Sequence, residues 1–535
     1  MDLKNFLKNL NKYNKNYNFT IIDNSLNAQV PPIEKSQTVF TNINENLEFL
    51  KSKYNTLLNS DVKIREFNMF VYNKNHKCFI IYIDGLVDTL SINEFILEPL
   101  MSGKLRINKP IDNNLSDYID SCLLPQNSVE KVENFKDVFS GINMGDCLLF
   151  VDTINTAFDI DVKKFEQRSI SAPENESIIK GPQEGYVENI RTNTSLLRRI
   201  VNNENLVIEN IPVGKLSQTK CGVCYMQNIA NGDLVAEVKY RLNNLDIDSL
   251  LSSGELEQLI EEDEGFGIPQ IISTERPDKC AKYLMQGRVV ILVNGSPYAL
   301  IMPATIEDFL FSPEDTNLRP LFANFLRGIR ILAALITLLL PGIYMAITSF
   351  HQELLPTELL FSILTARENV PFPIILELLL MEISFELIRE ASLRVPSVIG
   401  SSIGIIGALI LGDAAVNAGI VSPTLIIIVS ITGIASFVIP DFSFGFHVRI
   451  FRFWFIALGF IAGFLGIGIG FFIYLTMLCN LKSFGIPYTA PIAPSYNTKG
   501  NGFFIPPIWK QEYRAGFVSP KKSKAQNDIS MKWKT

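Results

Sequence analysis

Residues 329–348 read IRILAALITLLLPGIYMAIT, and this stretch decides the class of fold to which the chain belongs. It holds 20 residues, of which Arg330 alone carries a charge. A helix of about 20 apolar residues is long enough to cross a hydrocarbon core of roughly 30 Å. We therefore predict a membrane-spanning helix at Ile329–Thr348, with a kink at Pro341 and Gly342.

Three further apolar stretches follow in the same half of the chain. They are Val398–Gly419, Val421–Pro440 and Phe453–Cys479. The first two are separated by only a tight turn, so we expect a helical hairpin there, and the third is long enough to cross a membrane at a tilt. The sequence thus predicts a polytopic α-helical membrane domain at residues 327–482 with about four spans.

The segment Phe372–Ala391 is apolar on one face and acidic on the other. Glu382, Glu386 and Glu390 recur at every fourth residue, which places them in one stripe of a helix. An isolated span would not tolerate such a stripe. Two interpretations remain open: a helix that lies in the membrane interface, which we favour, or a helix whose acidic face lines a watery path in an oligomer.

Basic residues predict the orientation of the spans. Arg327 and Arg330 lie at the start of the first span, and residues 499–535 carry eight basic and two acidic side chains, a net charge of +6. Because basic loops favour the cytoplasmic side, we expect the N-terminal region and the C-terminal tail to be cytoplasmic, which requires an even number of spans. Arg449 and Arg452 would then lie on the outer side, which conflicts with the same rule. A fifth crossing would bring these arginines inside, but it would place the tail outside.

The chain before the first span has the composition of a soluble protein. It mixes charged residues, Asn and short apolar runs, and it starts without the apolar region of a signal peptide. Strand and helix patterns alternate, which predicts an α/β region. We expect a poorly ordered segment at residues 1–45, two cytoplasmic α/β subdomains at 46–172 and 173–326, and a basic cytoplasmic tail at 483–535.

Within these subdomains some elements can be predicted individually. Asp146–Asp152 should pair with Ala157–Val162 in a hairpin, and Arg288–Val293 should pair with Tyr298–Met302. A short basic amphipathic helix is predicted at Ser195–Val201. The Gly181–Glu188 loop together with Arg191, Arg198 and Arg199 could form an anion-binding or subunit-contact surface or, as we favour, an ordinary solvated helix face next to a turn.

Sequence signals for catalysis, cofactors and metals are weak. The net charge of −7 gives no basis for nucleic-acid binding. The common nucleotide-binding, metalloprotease and nucleophile motifs are missing from the sequence. Cys221 and Cys224 form a C-x-x-C pair, but a zinc site needs two further ligands and the three histidines are distant in sequence. We therefore expect no enzyme, no cofactor and no metal site, and we interpret the two cysteines as buried thiols.

The predicted membrane domain holds the residues of most functional interest. Small residues four apart let helix backbones approach closely, as in a packed bundle or around a pore. A carboxylate near an apolar segment is costly unless it lies near the headgroups or faces water. The candidate pore or gating residues chosen on these grounds are Asp413, Asn417, Glu382, Glu386, Gly404, Ala408 and Gly412.

Several stretches of the sequence carry a family resemblance. They include GPQEGYVENIRTNTSLLRRI (181–200), PVGKLSQTKCGVCYMQNIAN (212–231), IGIIGALILGDAAVNAGIVSP (403–423) and SFGIPYTAPIAP (483–494). On these motifs the chain resembles the A subunits of spore germination nutrient receptors, the GerA family. The resemblance covers roughly residues 150–500.

The resemblance implies a place in a three-protein complex of the inner membrane of bacterial spores. The expected partners are a transporter-like B subunit that recognises nutrients, a lipoprotein C subunit, further copies of this chain and membrane lipid. The A subunit would oligomerise into a nutrient-gated cation channel that triggers germination. The alternatives are a paralogue associated with the spore dipicolinic-acid channel and a non-conducting membrane scaffold for the receptor; a membrane enzyme is disfavoured.

Overall fold

The architecture is taken from a computed structural model of the chain. It describes residues 37–71, 74–102, 115–164, 173, 176, 178, 180–262, 267–368, 370–394, 412–496, 504 and 506–526. Most of the segment expected to be poorly ordered, and most of the predicted span Val398–Gly419, lie outside these residues. Within them, the N-terminal region is built from two five-stranded sheets with helices, so the predicted α/β class is confirmed.

The first sheet has neighbouring strands that are all antiparallel, in the order β1-β2-β4-β5-β3. Its strands are β1 (Val62–Val71), β2 (Lys74–Ile83), β3 (Val129–Val132), β4 (Cys147–Val151) and β5 (Ala157–Ile160). Helices α1 (Ile43–Lys53) and α2 (Phe135–Met144) pack on one face. The other face is covered by short helical segments at Thr89–Ser91, Ile92–Leu97, Glu98–Met101, Leu115–Tyr118 and Ile119–Leu123. All five residues of β4 are buried because both faces of the sheet are covered.

The second sheet repeats the strand order of the first, as β6-β7-β9-β10-β8. Its strands are β6 (Leu206–Val213), β7 (Thr219–Met226), β8 (Ile272–Thr274), β9 (Val289–Val293) and β10 (Ala299–Met302). Its helices are α3 (Ile190–Ile200), α4 (Gly232–Asn243), α5 (Ser253–Ile260), α6 (Pro277–Met285) and α7 (Ile306–Phe309). In each unit the third strand along the chain lies at an edge of the sheet, next to the fifth strand. The two units therefore share one connectivity.

Both hairpins expected from the sequence are present. Leu149 pairs with Phe158 between β4 and β5, and Ile291 pairs with Leu300 between β9 and β10. Strand β1 and helix α2 were not predicted from the sequence.

Arginines of α3 join the two sheets. Arg198 is buried and donates through Nε and Nη2 to Asp61 at 2.6 and 2.8 Å, and also to Asn59 Oδ1 at 2.9 Å. Arg191 contacts Asp84 at 2.5 Å. Arg198 fits neither sequence interpretation of this basic helix. Its charge is neutralised within the chain by Asp61, at the contact between the two units.

The C-terminal half is a bundle of helices. Its described helices are α8 (Pro320–Ser349), α9 (Thr357–Arg367), α10 (Ile374–Arg394), α11 (Pro423–Val438) and α12 (Phe442–Asn480), with a further helical stretch at 412–417. By length and composition, α8 and α12 could cross a membrane, with mean hydropathies of 2.2 and 2.4. Helix α11 is apolar but has 16 residues. Within the described residues these two helices thus pass the test for a span, although α12 is broken in its middle, and the predicted four spans are not confirmed.

Helix α12 is not the single tilted helix that we predicted at Phe453–Cys479. Gly463 adopts φ 59° and ψ −139°, which breaks the helix into two segments. The segments are antiparallel neighbours, since His447 Nε2 lies 3.2 Å from the hydroxyl of Tyr474, and a Cβ on Gly470 would meet the side chain of Leu458. Residues 442–480 therefore form a tight helical hairpin.

Both ends of this hairpin return to the second α/β unit. Phe444 stacks on Phe309 at a centroid distance of 5.9 Å, and the Ser483 hydroxyl donates to the Gln270 carbonyl at 2.6 Å. The short strands β11 (Lys482–Ser483) and β12 (Ile486–Pro487) follow. The predicted tail is not a separate appendage in its described part, because side chains such as Phe517 pack into the core of the second unit.

Candidate functional site: charged groups inside the helical bundle

Two glutamates and two arginines meet inside the helical bundle. Arg452 Nη1 lies 2.9 Å from Glu382 Oε2, and Arg452 Nη2 donates to Glu386 Oε1 at 3.0 Å. Arg449 Nη1 donates to Glu386 Oε2 at 2.8 Å. One arginine thus bridges both carboxylates, and the second arginine completes the coordination of Glu386.

Helix geometry explains how these side chains meet. Glu382 and Glu386 are four residues apart on α10, and Arg449 and Arg452 are three apart on the first segment of α12, so each pair lies on one helix face. Glu382 contacts Arg452, and Glu386, one turn later on α10, contacts Arg449, which comes earlier on α12. The two helices therefore run antiparallel at this contact.

Burial of these charged side chains is energetically costly. The side chain of Glu382 is 0% exposed and that of Arg452 is 1% exposed, while Glu386 retains 27%. Both oxygens of Glu382 lack an aligned hydrogen bond among the described residues, so its contact with Arg452 is one of charge alone. A buried carboxylate held by one partner is stable only while that partner stays in place.

A second polar contact ties α9, α10 and α11 together. Glu377 is buried on α10, and its Oε2 accepts hydrogen bonds from the backbone N–H and the hydroxyl of Ser422, both at 2.9 Å. Ser422 directly precedes α11, so the carboxylate lies at the positive end of that helix. Arg367 Nε lies 3.5 Å from the other oxygen of Glu377.

The acidic stripe of Phe372–Ala391 therefore has partners within the chain. Phe385 on the same helix packs against Gly433 of α11, and Arg389 Nη1 donates to the Ser436 hydroxyl at 2.9 Å. Helix α10 is packed against α11 and α12 through these contacts. Neither sequence interpretation of this segment included these ion pairs, because the arginines that neutralise the glutamates come from a segment more than sixty residues away.

The remaining candidate residues lie apart from this cluster. Asp413 and Asn417 are exposed, and no ion pair or hydrogen bond in the described part of the chain links them to Glu382 or Glu386. A Cβ on Gly412 would make an ordinary contact of 3.8 Å with Ile426. Gly404 and Ala408 lie outside the described residues.

Close helix packing instead occurs at other glycines. A Cβ on Gly459 would lie 2.5 Å from the carbonyl oxygen of Gly342, and one on Gly466 would lie even closer to that of Leu458. The first contact joins α8 to α12 and the second joins the two segments of the hairpin. Gly459 and Gly466 were not among the candidate residues chosen from the sequence.

The paired cysteines do not form a metal site. Cys221 and Cys224 lie on β7 three residues apart, so their side chains point to opposite faces of the sheet and enter different cores. Burial raises the pKa of Cys221 to about 12 and also raises the pKa of Cys224. Within the described ranges, no group of three or more His, Cys, Asp or Glu residues could hold a metal ion.

Comparisons with known proteins place these features in a family. The family described as Bacillus/Clostridium GerA spore germination protein matches residues 48–517. Spore germination protein KA of Bacillus subtilis (strain 168) is 40% identical over 462 residues, which cover 86% of this chain and 84% of that protein. The uncharacterized membrane protein YfkQ of the same organism is 37% identical over 490 residues, covering 91% and 93%.

Further relatives have similar names. Spore germination protein B1 of Bacillus subtilis (strain 168) is 39% identical over 440 residues, which cover 82% of this chain and 90% of that protein. Among solved structures, the N-terminal domain of the A subunit of the Bacillus megaterium spore germinant receptor GerK3 is 32% identical. It covers 51% of this chain and 99% of that chain, with a TM-score of 0.39.

Proposed function

The chain belongs to the Bacillus/Clostridium GerA family of spore germination proteins, and from that membership we propose that it is the A subunit of a germinant receptor that forms a nutrient-gated cation channel. The observation that carries the receptor assignment is the match over residues 48–517, which includes both α/β units and the helical bundle. Spore germination protein KA, the relative at 40% identity, supports it.

We propose that the helical bundle lies in the inner membrane of the spore, with the α/β region and the tail in the cytoplasm. The apolar helices α8 and α12 support this placement. Helix α8 starts next to the second α/β unit, and both ends of the α12 hairpin return to that unit, which favours one side of the membrane for all three. Arg449 and Arg452 pair with glutamates within the bundle, so they no longer argue for an outer loop.

The proposed channel uses several copies of this chain. Asp413 and Asn417 are exposed in the single chain, as pore-lining side chains must be before assembly. The buried pair Glu382–Arg452 would hold α10 in one position relative to α12. Opening requires a ligand that favours the open arrangement over the closed one. The proposed source of that preference is nutrient binding to a transporter-like B subunit, with a lipoprotein C subunit completing the complex.

Substitutions that remove one carboxylate charge distinguish a channel from a scaffold that conducts no ions. Spores carrying Asp413→Asn or Glu386→Gln, compared with control spores at equal receptor content, should release monovalent cations more slowly after a nutrient stimulus. Asp246→Asn, at an exposed carboxylate of the α/β region, is the matched control and should release cations normally. If both bundle variants release cations at the control rate with the protein present, the channel proposal fails and the scaffold is favoured.

A further inference from the structure

Helix α10 exposes apolar side chains and buries charged ones. Between Ile374 and Arg389, four residues of this helix are exposed, and all four are apolar. They recur at intervals of three or four residues, so they form one continuous stripe along the helix. The exposed stripe consists of Leu376, Leu380, Ile383 and Leu387, whose exposed fractions lie between 43% and 66%.

The opposite face of α10 holds acidic residues. Glu377 and Glu382 are buried, beside the apolar side chains of Leu378 and Met381. A helix on the surface of a water-soluble protein turns its apolar face to the core and its charges to the solvent. Helix α10 has the reverse arrangement, which is favourable where the surroundings are hydrocarbon and the charges are paired inside the bundle.

Helix α8 has the same arrangement. Phe325, Ile329 and Leu332 are exposed at helical spacing, whereas Arg330 is buried and paired with Asp315. Helix α8 is long and apolar enough to cross a membrane. An exposed apolar face with a paired charge on the buried side is therefore compatible with a span in this bundle.

Contacts with α11 give the direction of α10. Glu377 contacts Ser422, directly before the start of α11, whereas Arg389 donates to Ser436 near its end. The two helices are therefore parallel. Asp441 follows α11 and caps the start of α12, which packs against the second α/β unit. The C-terminal end of α10 thus lies on the side of this unit, and its start lies on the far side.

The hairpin of α12 provides a scale for depth. It begins after Asp441, and it turns at Gly463, where a Cβ would meet the ring of His351 just beyond the far end of α8. Arg452 lies halfway between Asp441 and Gly463. Glu382, which pairs with Arg452, therefore lies at the middle of the bundle.

The length of α10 agrees with this depth. Its 21 residues extend over about 31 Å, close to the thickness of a hydrocarbon core. Composition alone does not identify α10 as a span, because the helix is rich in glutamate, but Glu382 and Glu386 are paired with arginines of α12. The exposed Glu390 lies near the end on the α/β side, where headgroups and water are within reach.

We propose that α10 crosses the membrane, with its exposed stripe in contact with lipid acyl chains. Its start lies at the outer surface and its end at the cytoplasmic surface, and the pair Glu382–Arg452 lies midway. This orientation replaces the interfacial helix that we favoured from the sequence. The inference rests on the membrane placement proposed above.

The proposed crossing changes the number of spans. Because α10 and α11 are parallel, the chain between them must return to the outer side, as the span predicted at Val398–Gly419 would do. With that predicted span, α8, α10, α11 and the two segments of α12 make six crossings. Six is an even number, so the N-terminal region and the tail remain together on the cytoplasmic side.

The test measures the depth of spin labels on the full chain in nanodiscs. The exposed Cys122 and Cys479 are first replaced by Ser, and a single labelled cysteine is then placed at each position of the exposed stripe in turn. Electron paramagnetic resonance compares collisions with oxygen, which enters hydrocarbon, and with a water-soluble nickel complex. Ile383→Cys should be the deepest, with Leu376→Cys roughly 10 Å and Leu387→Cys roughly 6 Å closer to a surface.

Two reference labels accompany the series. Leu332→Cys on α8 should collide mainly with oxygen, and Leu216→Cys, in an exposed turn of the second α/β unit, should collide mainly with the nickel complex. One shallow depth shared by all four positions of the stripe would overturn the proposal and return α10 to the membrane interface.

Two other results would also count against the proposal. Protection of the whole stripe from both reagents would overturn its contact with lipid and indicate that a second copy of the chain covers it. Frequent collisions of the Leu332→Cys label with the nickel complex would contradict the membrane placement itself, and the crossing with it. The α8 label therefore distinguishes a failure of the placement from a failure of the α10 crossing alone.

Discussion

Arg452 Nη1 lies 2.9 Å from Glu382 Oε2, and both side chains are almost completely excluded from solvent. The contact joins α10 to the first segment of α12. In the proposed membrane setting, each residue would be a buried unpaired charge without the other. The pair therefore determines whether an acidic helix can be part of the bundle.

We predict that removing the arginine is much more damaging than removing both charges. Arg452→Met should lower the free energy of unfolding by about 3–5 kcal/mol, because it leaves Glu382 buried without a counter-charge. The double variant Glu382→Gln/Arg452→Met should recover a large part of this loss. Thermal unfolding of the purified full chain in nanodiscs measures both. A double variant less stable than Arg452→Met alone would contradict the pairing.

Helix contact at Gly459 should not tolerate a methyl group. Its Cβ would lie 2.5 Å from the carbonyl oxygen of Gly342, so Gly459→Ala must push α8 and α12 apart, at about 1–3 kcal/mol. Gly468→Ala is the matched control, since no atom lies within 4 Å of its Cβ position. Thermal unfolding should separate the two variants. Equal stability would show that the two helices do not approach as closely as described.

The junction between the two sheets should depend on Arg198 far more than on Arg191. Arg198→Met leaves the Asp61 carboxylate without its counter-charge and should lower the free energy of unfolding by about 3 kcal/mol. Arg191 is half exposed, so Arg191→Met should lower it by less than about 1 kcal/mol. Hydrogen exchange provides a local readout, because the Ser60 amide donates to the Ile208 carbonyl across the junction. That amide should exchange faster in Arg198→Met and at the normal rate in Arg191→Met; similar rates in both would contradict this assignment.

Asp159 should make the first α/β unit less stable at alkaline pH. Burial raises the pKa of Asp159 to about 7, so between pH 5 and 8 the folded protein loses a proton that the unfolded chain has already lost. Stability must therefore fall over this range. Asp159→Asn removes the effect and should be more stable than the wild type by on the order of 1–2 kcal/mol at pH 8, with a smaller difference at pH 5. A pH-independent difference would contradict the raised pKa.

Sequence patterns predicted those parts of the fold that are determined locally. The β4–β5 and β9–β10 hairpins could be predicted because each combines a continuous apolar run with a short polar turn. Strand β1 has a burial pattern with several exposed positions, so its apolar signal is weak. Helix α2 is ten residues long and buries Phe135, Val138 and Ile142 at helical spacing, so its local signal is present in the sequence and was missed.

The helical region shows where sequence reasoning reaches its limit. The spacing of Gly459, Gly463 and Gly466 is compatible with a continuous close-packed helix, and only the backbone conformation of Gly463 reveals the hairpin. Glu382 and Glu386 were recognised as unusual, but their partners could not be identified. Ion pairs between helices depend on the tertiary arrangement, which helical periodicity alone does not specify.

The most direct test of the central claim measures monovalent-cation release from spores that lack this chain. The spores are challenged with a panel of nutrients and, separately, with a non-nutrient trigger. The account predicts loss of early cation release for one class of nutrient, restored by the wild-type chain, with the non-nutrient response intact. Normal early release followed by defective dipicolinate release would contradict the receptor assignment and favour the paralogue associated with the dipicolinic-acid channel.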